Sequence, residues 1–146
     1  MKKILVINGP NINLLGLREP AIYGNKNYRD LLQFIEEAAS GAGFTVHCFQ
    51  SNCEGAIVDE IQKAYGKYEG IVINPAAYTH TSIAIPDALK AVNIPAVEVH
   101  LSDIAKREAY RQVSYTSAAC LKTIAGKGFE GYREAIMLLK ARLPSG

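Results

Sequence analysis

The chain has 146 residues, 49% of them hydrophobic and 21% charged, with a formal net charge of +2. That length suits a single domain over 1–146 with a real core, and the composition is ordinary for a soluble globular protein. Neither the concentrated basic stripe of a nucleic-acid partner nor an apolar run long enough to cross a bilayer is present, so no nucleic acid and no membrane are expected as partners. The N-terminal apolar run stops at Asn8-Gly9-Pro10, too short for a secretory core, and a cytoplasmic location is expected.

The elements alternate. Residues 3–8 are apolar and β-rich, and Asn8-Gly9-Pro10-Asn11 ends them. From about Tyr28, the residues Leu31, Phe34, Ile35 and Ala38 fall at helical spacing, and Gly41 and Gly43 close that helix. Phe44–Gln50 reads as a second strand. Ser51 to Glu54 has the pattern of a capping box, which predicts a helix with Ile57, Ile61 and Ala64 on its apolar face. Residues 71–73 form a third strand stopped by Asn74-Pro75. Residues 82–92 read as a helix, with Pro86 in its first turn or at a kink. Strands follow at 95–99 and 120–125, and Tyr132, Ala135, Ile136, Leu139 and Leu143 mark the stripe of a last helix.

Strands alternating with helices imply right-handed βαβ units and a parallel sheet covered on both faces. Five strands in this length point to an α/β, flavodoxin-like three-layer sandwich of order 2-1-3-4-5. One connection breaks the rhythm. Residues 9–27 show neither period, and a connection that long in a compact domain is usually functional. Arg18, Glu19, Pro20 and Tyr23 lie there between Gly16 and Gly24, the composition of a hinged lid.

Open parallel sheets bind ligands beyond the carboxyl ends of their strands. There this sequence places Asn8 and Asn11, then Ser51 and Asn52, then Asn74 and Thr79-His80-Thr81-Ser82, then Glu98, His100, Leu101 and Ser102. Glu98 and His100, two apart on a strand, share a face, so the carboxylate can hold the imidazole for proton transfer or form a plain ion pair. Thr79, Thr81 and Ser82 serve equally as caps or as an anion-receiving helix start. Arg107 and Arg111, four apart, fit one helical face, with Arg107 read as solvated charge. His47, mid-strand, reads as a sheet-face residue.

Other chemistries find little support. Cys48, Cys53 and Cys120 are sparse and odd in number, without zinc-ligand spacing, and read as reduced thiols. No metal is expected. Neither dinucleotide nor P-loop fingerprints occur, and the glycine-rich residues 126–131 come too late for a first βα turn.

The segments Asn8-Gly9-Pro10-Asn11-Ile12-Asn13-Leu14-Leu15-Gly16, Arg18-Glu19-Pro20, Tyr23-Gly24 and Phe49-Gln50-Ser51-Asn52 resemble those of the type II 3-dehydroquinate dehydratases. So do Glu54-Gly55, Asn74-Pro75-Ala76-Ala77-Tyr78-Thr79-His80-Thr81-Ser82, Glu98-Val99-His100-Leu101-Ser102, Arg107-Glu108, Arg111, Ser114-Tyr115 and Gly131-Tyr132. The resemblance runs through nearly the whole chain. It implies loss of water from 3-dehydroquinate to give 3-dehydroshikimate, no cofactor, and a homo-oligomer, a dodecamer built from trimers.

By the same resemblance Tyr23 is the base, Arg18 favours its phenolate, and Asn11 helps hold an enolate. His100 is the acid, oriented by Glu98. Asn74, His80, Asp87, Leu101, Ser102 and Arg111 bind substrate. Ala76 stands where the family commonly has glycine, and residues 103–106, Lys127 and Glu130 also depart from its usual run. The alternatives are a receiver module and a flavin- or nucleotide-binding module. The first would need acidic residues where Asn8 and Asn74 stand. The second would use residues 8–11 as a phosphate cradle.

Overall fold

In a computed structural model, which describes residues 1–17 and 26–144, the apolar runs become the five strands of a parallel sheet. They are β1 (Lys2–Asn8), β2 (Phe44–Gln50), β3 (Gly70–Asn74), β4 (Ala96–His100) and β5 (Thr123–Ala125), and they lie in the order β2-β1-β3-β4-β5. The expected order is the observed one. The connecting helices are α1 (Tyr28–Gly41), α2 (Glu54–Lys63), α3 (Ala84–Val92) and α4 (Glu130–Arg142).

Alternation along each strand divides the core in two. Ile4, Val6, Val72, Val97 and Val99 face α1 and α4, where they meet Leu31, Ile35, Tyr132, Ala135, Ile136 and Leu139. Leu5, Ile7, Ile71, Ile73 and Ala96 face α2 and α3, packing on Ile57, Ile61, Ile85 and Leu89. Every residue of β3 and β4 is buried, as expected for strands covered on both sides. Each fully buried Ile or Leu removes enough apolar surface to contribute about 1.5–3 kcal/mol.

Local chemistry differs from the sequence expectation at several ends. The capping box belongs to α1: Asn27 Oδ1 accepts from the Asp30 amide at 3.0 Å, and Asp30 returns a bond to the Asn27 amide at 2.9 Å. The box expected at Ser51–Glu54 does not form. Helix α2 begins two residues later than that pattern requires, and Ser51 Oγ accepts from the Cys53 amide in a local turn instead. Pro86 lies in the first turn of α3, where its missing donor breaks no helical bond. Ser82 Oγ accepts from the Ile85 amide, so the cap expectation holds for Ser82.

The fifth strand is shorter than 120–125 because residues 116–119 coil into a 3-10 turn that Cys120 closes; strand pairing then starts at the Leu121 amide on the Ala96 carbonyl. Leu143 falls just beyond α4. The connection after β1 is not wholly irregular: Ile12–Leu14 form a 3-10 turn behind Asn11, whose φ is +70°.

Candidate active site

The carboxyl ends of β1, β3 and β4 open onto a cavity of about 310 Å³, at the lower end of the range for small-molecule sites. Among the described residues its wall comes from three connections. The first, after β1, gives Pro10, Asn11, Ile12, Leu14 and Leu15. The second, after β3, gives Asn74, Ala76, Ala77 and His80. The third, from the end of β4 onward, gives His100, Leu101, Ser102, Ile104, Arg107 and Arg111. Among the described residues, two arginines and two histidines line this wall and no carboxylate does, an environment suited to an anion.

The floor is set by register. Asn8 and Asn74 are paired partners on adjacent strands, both buried and both turned toward α4. Tyr132 of α4 bridges them: its hydroxyl donates to Asn8 Oδ1 at 2.6 Å and accepts from Asn74 Nδ2 at 3.1 Å. Burial pushes that phenol well above the ordinary tyrosine range, so it stays a neutral donor. Asn74 Oδ1 in turn accepts from the Ala76 amide at 3.1 Å. This bond helps hold Ala76 at φ +53°, a left-handed conformation that glycine adopts without strain. Beside it, the backbone of β1 passes so close to Pro75 that a Cβ on Gly9 would lie 2.5 Å from the Pro75 carbonyl oxygen.

The wall after β1 is tethered to the strand β2 end. The Asn11 amide donates to Asn52 Oδ1 at 3.0 Å, Gln50 Nε2 donates to the same oxygen, and the Tyr78 hydroxyl donates to the Asn52 carbonyl at 2.7 Å. Asn52 therefore acts through Asn11 rather than on the cavity itself. Asn8, expected at the rim, is part of the floor's underside.

Glu98 and His100 project together from the α2–α3 face of β4. The imidazole Nε2–H donates to Glu98 Oε2, which fixes the tautomer and leaves Nδ1 as the ring nitrogen for the cavity. Glu98 is fully buried; Ser114 Oγ donates to its carboxylate at 2.8 Å, and Thr123 Oγ1 lies 3.3 Å from Oε1. A buried carboxylate so surrounded is held in place, and it in turn fixes the direction of its imidazole partner.

His80 is anchored through Nδ1, which donates to the Val113 carbonyl at 2.6 Å. Arg107 and Arg111 do not share a helix. Arg107 follows the short 3-10 turn Ile104–Lys106, Arg111 ends the next one, Ala109–Arg111, and both reach the cavity. Arg107, read from sequence as solvated charge, instead donates from Nη1 to Ser102 Oγ at 3.3 Å. The signal for it was its position in the polar run after β4. Arg111 Nε lies 2.8 Å from Glu108 Oε2, an ion pair without good hydrogen-bond alignment.

Of the expected site residues, Asn11, Asn74, His80, His100, Leu101, Ser102 and Arg111 meet at this cavity, and Glu98 stands directly behind His100. Asp87 does not line it; its side chain is exposed on the first turn of α3. Arg18 and Tyr23 lie outside the described residues. Among the described residues no group of three or more His, Cys, Asp or Glu side chains is arranged to hold a metal, and no helix is long and apolar enough to cross a membrane.

An open parallel α/β sheet with an arginine- and histidine-bearing cavity beyond its strand ends is the architecture of an α/β protein with a small-molecule site. The chain belongs to the class II dehydroquinase family, whose model matches residues 2–140, and it is thus a carbon–oxygen lyase, a hydro-lyase. It is 57% identical over 141 residues to the 3-dehydroquinate dehydratase of Clostridium acetobutylicum, covering 97% of this chain and 98% of that one. Its fold superposes on the crystal structure of type II dehydroquinase from Butyrivibrio crossotus with a TM-score of 0.92, at 52% identity, over 94% of this chain and 97% of the other. The enzyme from Propionibacterium acnes gives the same TM-score at 42% identity, over 97% of each chain.

Proposed function

We propose that the chain removes water from 3-dehydroquinate by an anti elimination through an enolate, with Tyr23 as base and His100 as acid. The observation that carries the acid half is the Glu98–His100 pair at the cavity wall. The ketone acidifies the neighbouring carbon. Tyr23, as a phenolate, takes the C2 proton, and the electron pair moves into the C2–C3 bond and onto the ketone oxygen. Asn11, on the tethered wall after β1, helps hold that oxygen. The enolate collapses as the C1 hydroxyl leaves, protonated from Nδ1 of the His100 imidazolium, and water and the enone remain.

A free phenol titrates near ~10, so the base needs an opposite charge at close range. Arg18, five residues before Tyr23, is the group we assign to that task. To Arg111, His80, Asn74, Ser102 and the Leu101 backbone we assign the substrate's carboxylate and hydroxyls, a reading supported by their common position on the cavity wall. The reaction asks for no cofactor. The working unit we propose is cytoplasmic and homo-oligomeric, a dodecamer. Asp87, turned away from this chain's own cavity, would then meet substrate only in a neighbouring copy.

The test is ultraviolet absorbance with 3-dehydroquinate, since the enone product absorbs where the substrate does not. The wild-type chain is expected to turn over without added metal or cofactor, and Tyr23→Phe to lose nearly all of it while keeping its fold. Near-normal turnover by Tyr23→Phe removes the base assignment.

A further inference from the structure

We propose that Ser114 is a positioning residue that couples the acid to the anion-binding arm of the cavity, an inference resting on the reading of His100 as the acid. Three successive residues of the connection between β4 and β5 are fastened to the site, the outer two to the segment after β3 and the middle one to β4. The Val113 carbonyl accepts from His80 Nδ1 at 2.6 Å. Ser114 Oγ donates to Glu98, at 2.8 Å from Oε2 and 3.0 Å from Oε1. The Tyr115 amide donates to the Thr79 carbonyl at 3.0 Å.

The middle contact differs in kind from its neighbours. It ends on a fully buried charge, and hydrogen bonds to charged groups are the strong ones. The hydroxyl is itself oriented: Ser114 Oγ accepts from the Ser117 amide at 3.1 Å, which directs its proton at the carboxylate. Glu98 thus has one oxygen shared between His100 and Ser114, and the other facing Ser114 and Thr123. Removing the serine donor frees the carboxylate to rotate. His100 then loses its fixed direction, and Arg111, three residues before Ser114, loses one of the fastenings that hold it at the cavity wall.

A role confined to tacking down the loop would lower stability and leave the acid alone. The full-length chain is therefore compared as wild type, Ser114→Ala, Ser114→Thr, His100→Ala and the His100→Ala/Ser114→Ala double variant. Ser114→Ala is expected to cut kcat by about ten- to a hundredfold, the range for a hydrogen bond to a charge, and to raise KM. Ser114→Thr, which keeps the hydroxyl, restores most of kcat. In the His100→Ala background the serine substitution leaves kcat where His100→Ala put it and still raises KM.

Proton NMR gives the second readout: the downfield imidazole N–H resonance of the Glu98–His100 pair is expected to shift or vanish in Ser114→Ala. Where alanine yields no folded chain, Ser114→Cys, similar in size and a feeble donor, takes its place with the same expectation. Wild-type kcat and an unmoved resonance in a folded variant, or losses that multiply in the double variant, overturn this inference alone. Wild-type kcat in His100→Ala overturns the acid assignment and this inference with it.

Discussion

The hydroxyl of Tyr132 donates to Oδ1 of Asn8 at 2.6 Å in a place from which water is excluded, since both residues are fully buried. The Tyr132 hydroxyl oxygen accepts from Asn74 Nδ2, so one phenol ties together amides on two neighbouring strands.

Tyr132→Phe leaves Asn8 Oδ1 without that donor and Asn74 Nδ2 without that acceptor. A buried polar group stripped of its partner costs about 1–3 kcal/mol. The variant is expected to unfold at lower urea with an unchanged slope. A midpoint equal to wild type would mean that the two amides find other partners.

His100→Ala is expected to lower kcat by about 10²- to 10⁴-fold, the usual contribution of a positioned proton donor, with a much smaller change in KM. Glu98→Gln keeps the shape but puts an amide where the carboxylate accepts from the imidazole N–H. It should show a smaller loss in the same parameter. Steady-state kinetics on both variants check this, and a loss in KM alone would make the pair a binding element.

Arg111→Ala removes a guanidinium from the cavity wall, the group proposed above for the substrate's carboxylate. Its effect belongs in KM, about ten- to a hundredfold for a lost charge-assisted bond. Arg107→Ala is expected to raise KM less, since that side chain also leans on Ser102. A pure kcat effect from Arg111→Ala would move it from binding to chemistry.

Burial pushes the thiols of Cys48 and Cys120 from the ordinary 9.0 up to about 12. For an acid raised on folding, the unfolded chain ionises first as pH rises. The native state then binds more protons, and stability falls between about pH 9 and 12. Denaturant titrations across that window check the sign. At pH 8, alkylation of the native protein followed by mass analysis should label exposed Cys53 well before the other two.

The layout was legible in sequence wherever one periodicity dominated. Residues 44–50 and the stripe Leu31–Ile35–Ala38 admit one reading, and strand-end logic then gathered Asn11, Asn74, His80 and His100 to one edge. Less legible was anything decided by a competing local bond. Ser51 has the pattern of a cap, yet its hydroxyl is taken by the Cys53 amide two residues on. The capping box at Asn27 and Asp30 stood at the border of an aperiodic stretch, where no apolar spacing drew attention to it.

Arg107, Ser114 and Tyr132 owe their places to tertiary contacts. Ser114 meets Glu98 across sixteen positions and Tyr132 meets Asn8 across 124, distances over which spacing carries no signal.

Helix α4 contributes nothing to the cavity's lining and lies after every residue that does. A fragment ending near Ala125 would therefore carry the complete described wall while its two floor amides lost their shared tether. Competence would return only by supplying the missing tail in trans, so roughly the last seventh of the chain is a natural handle for building a split, reassembly-dependent catalyst.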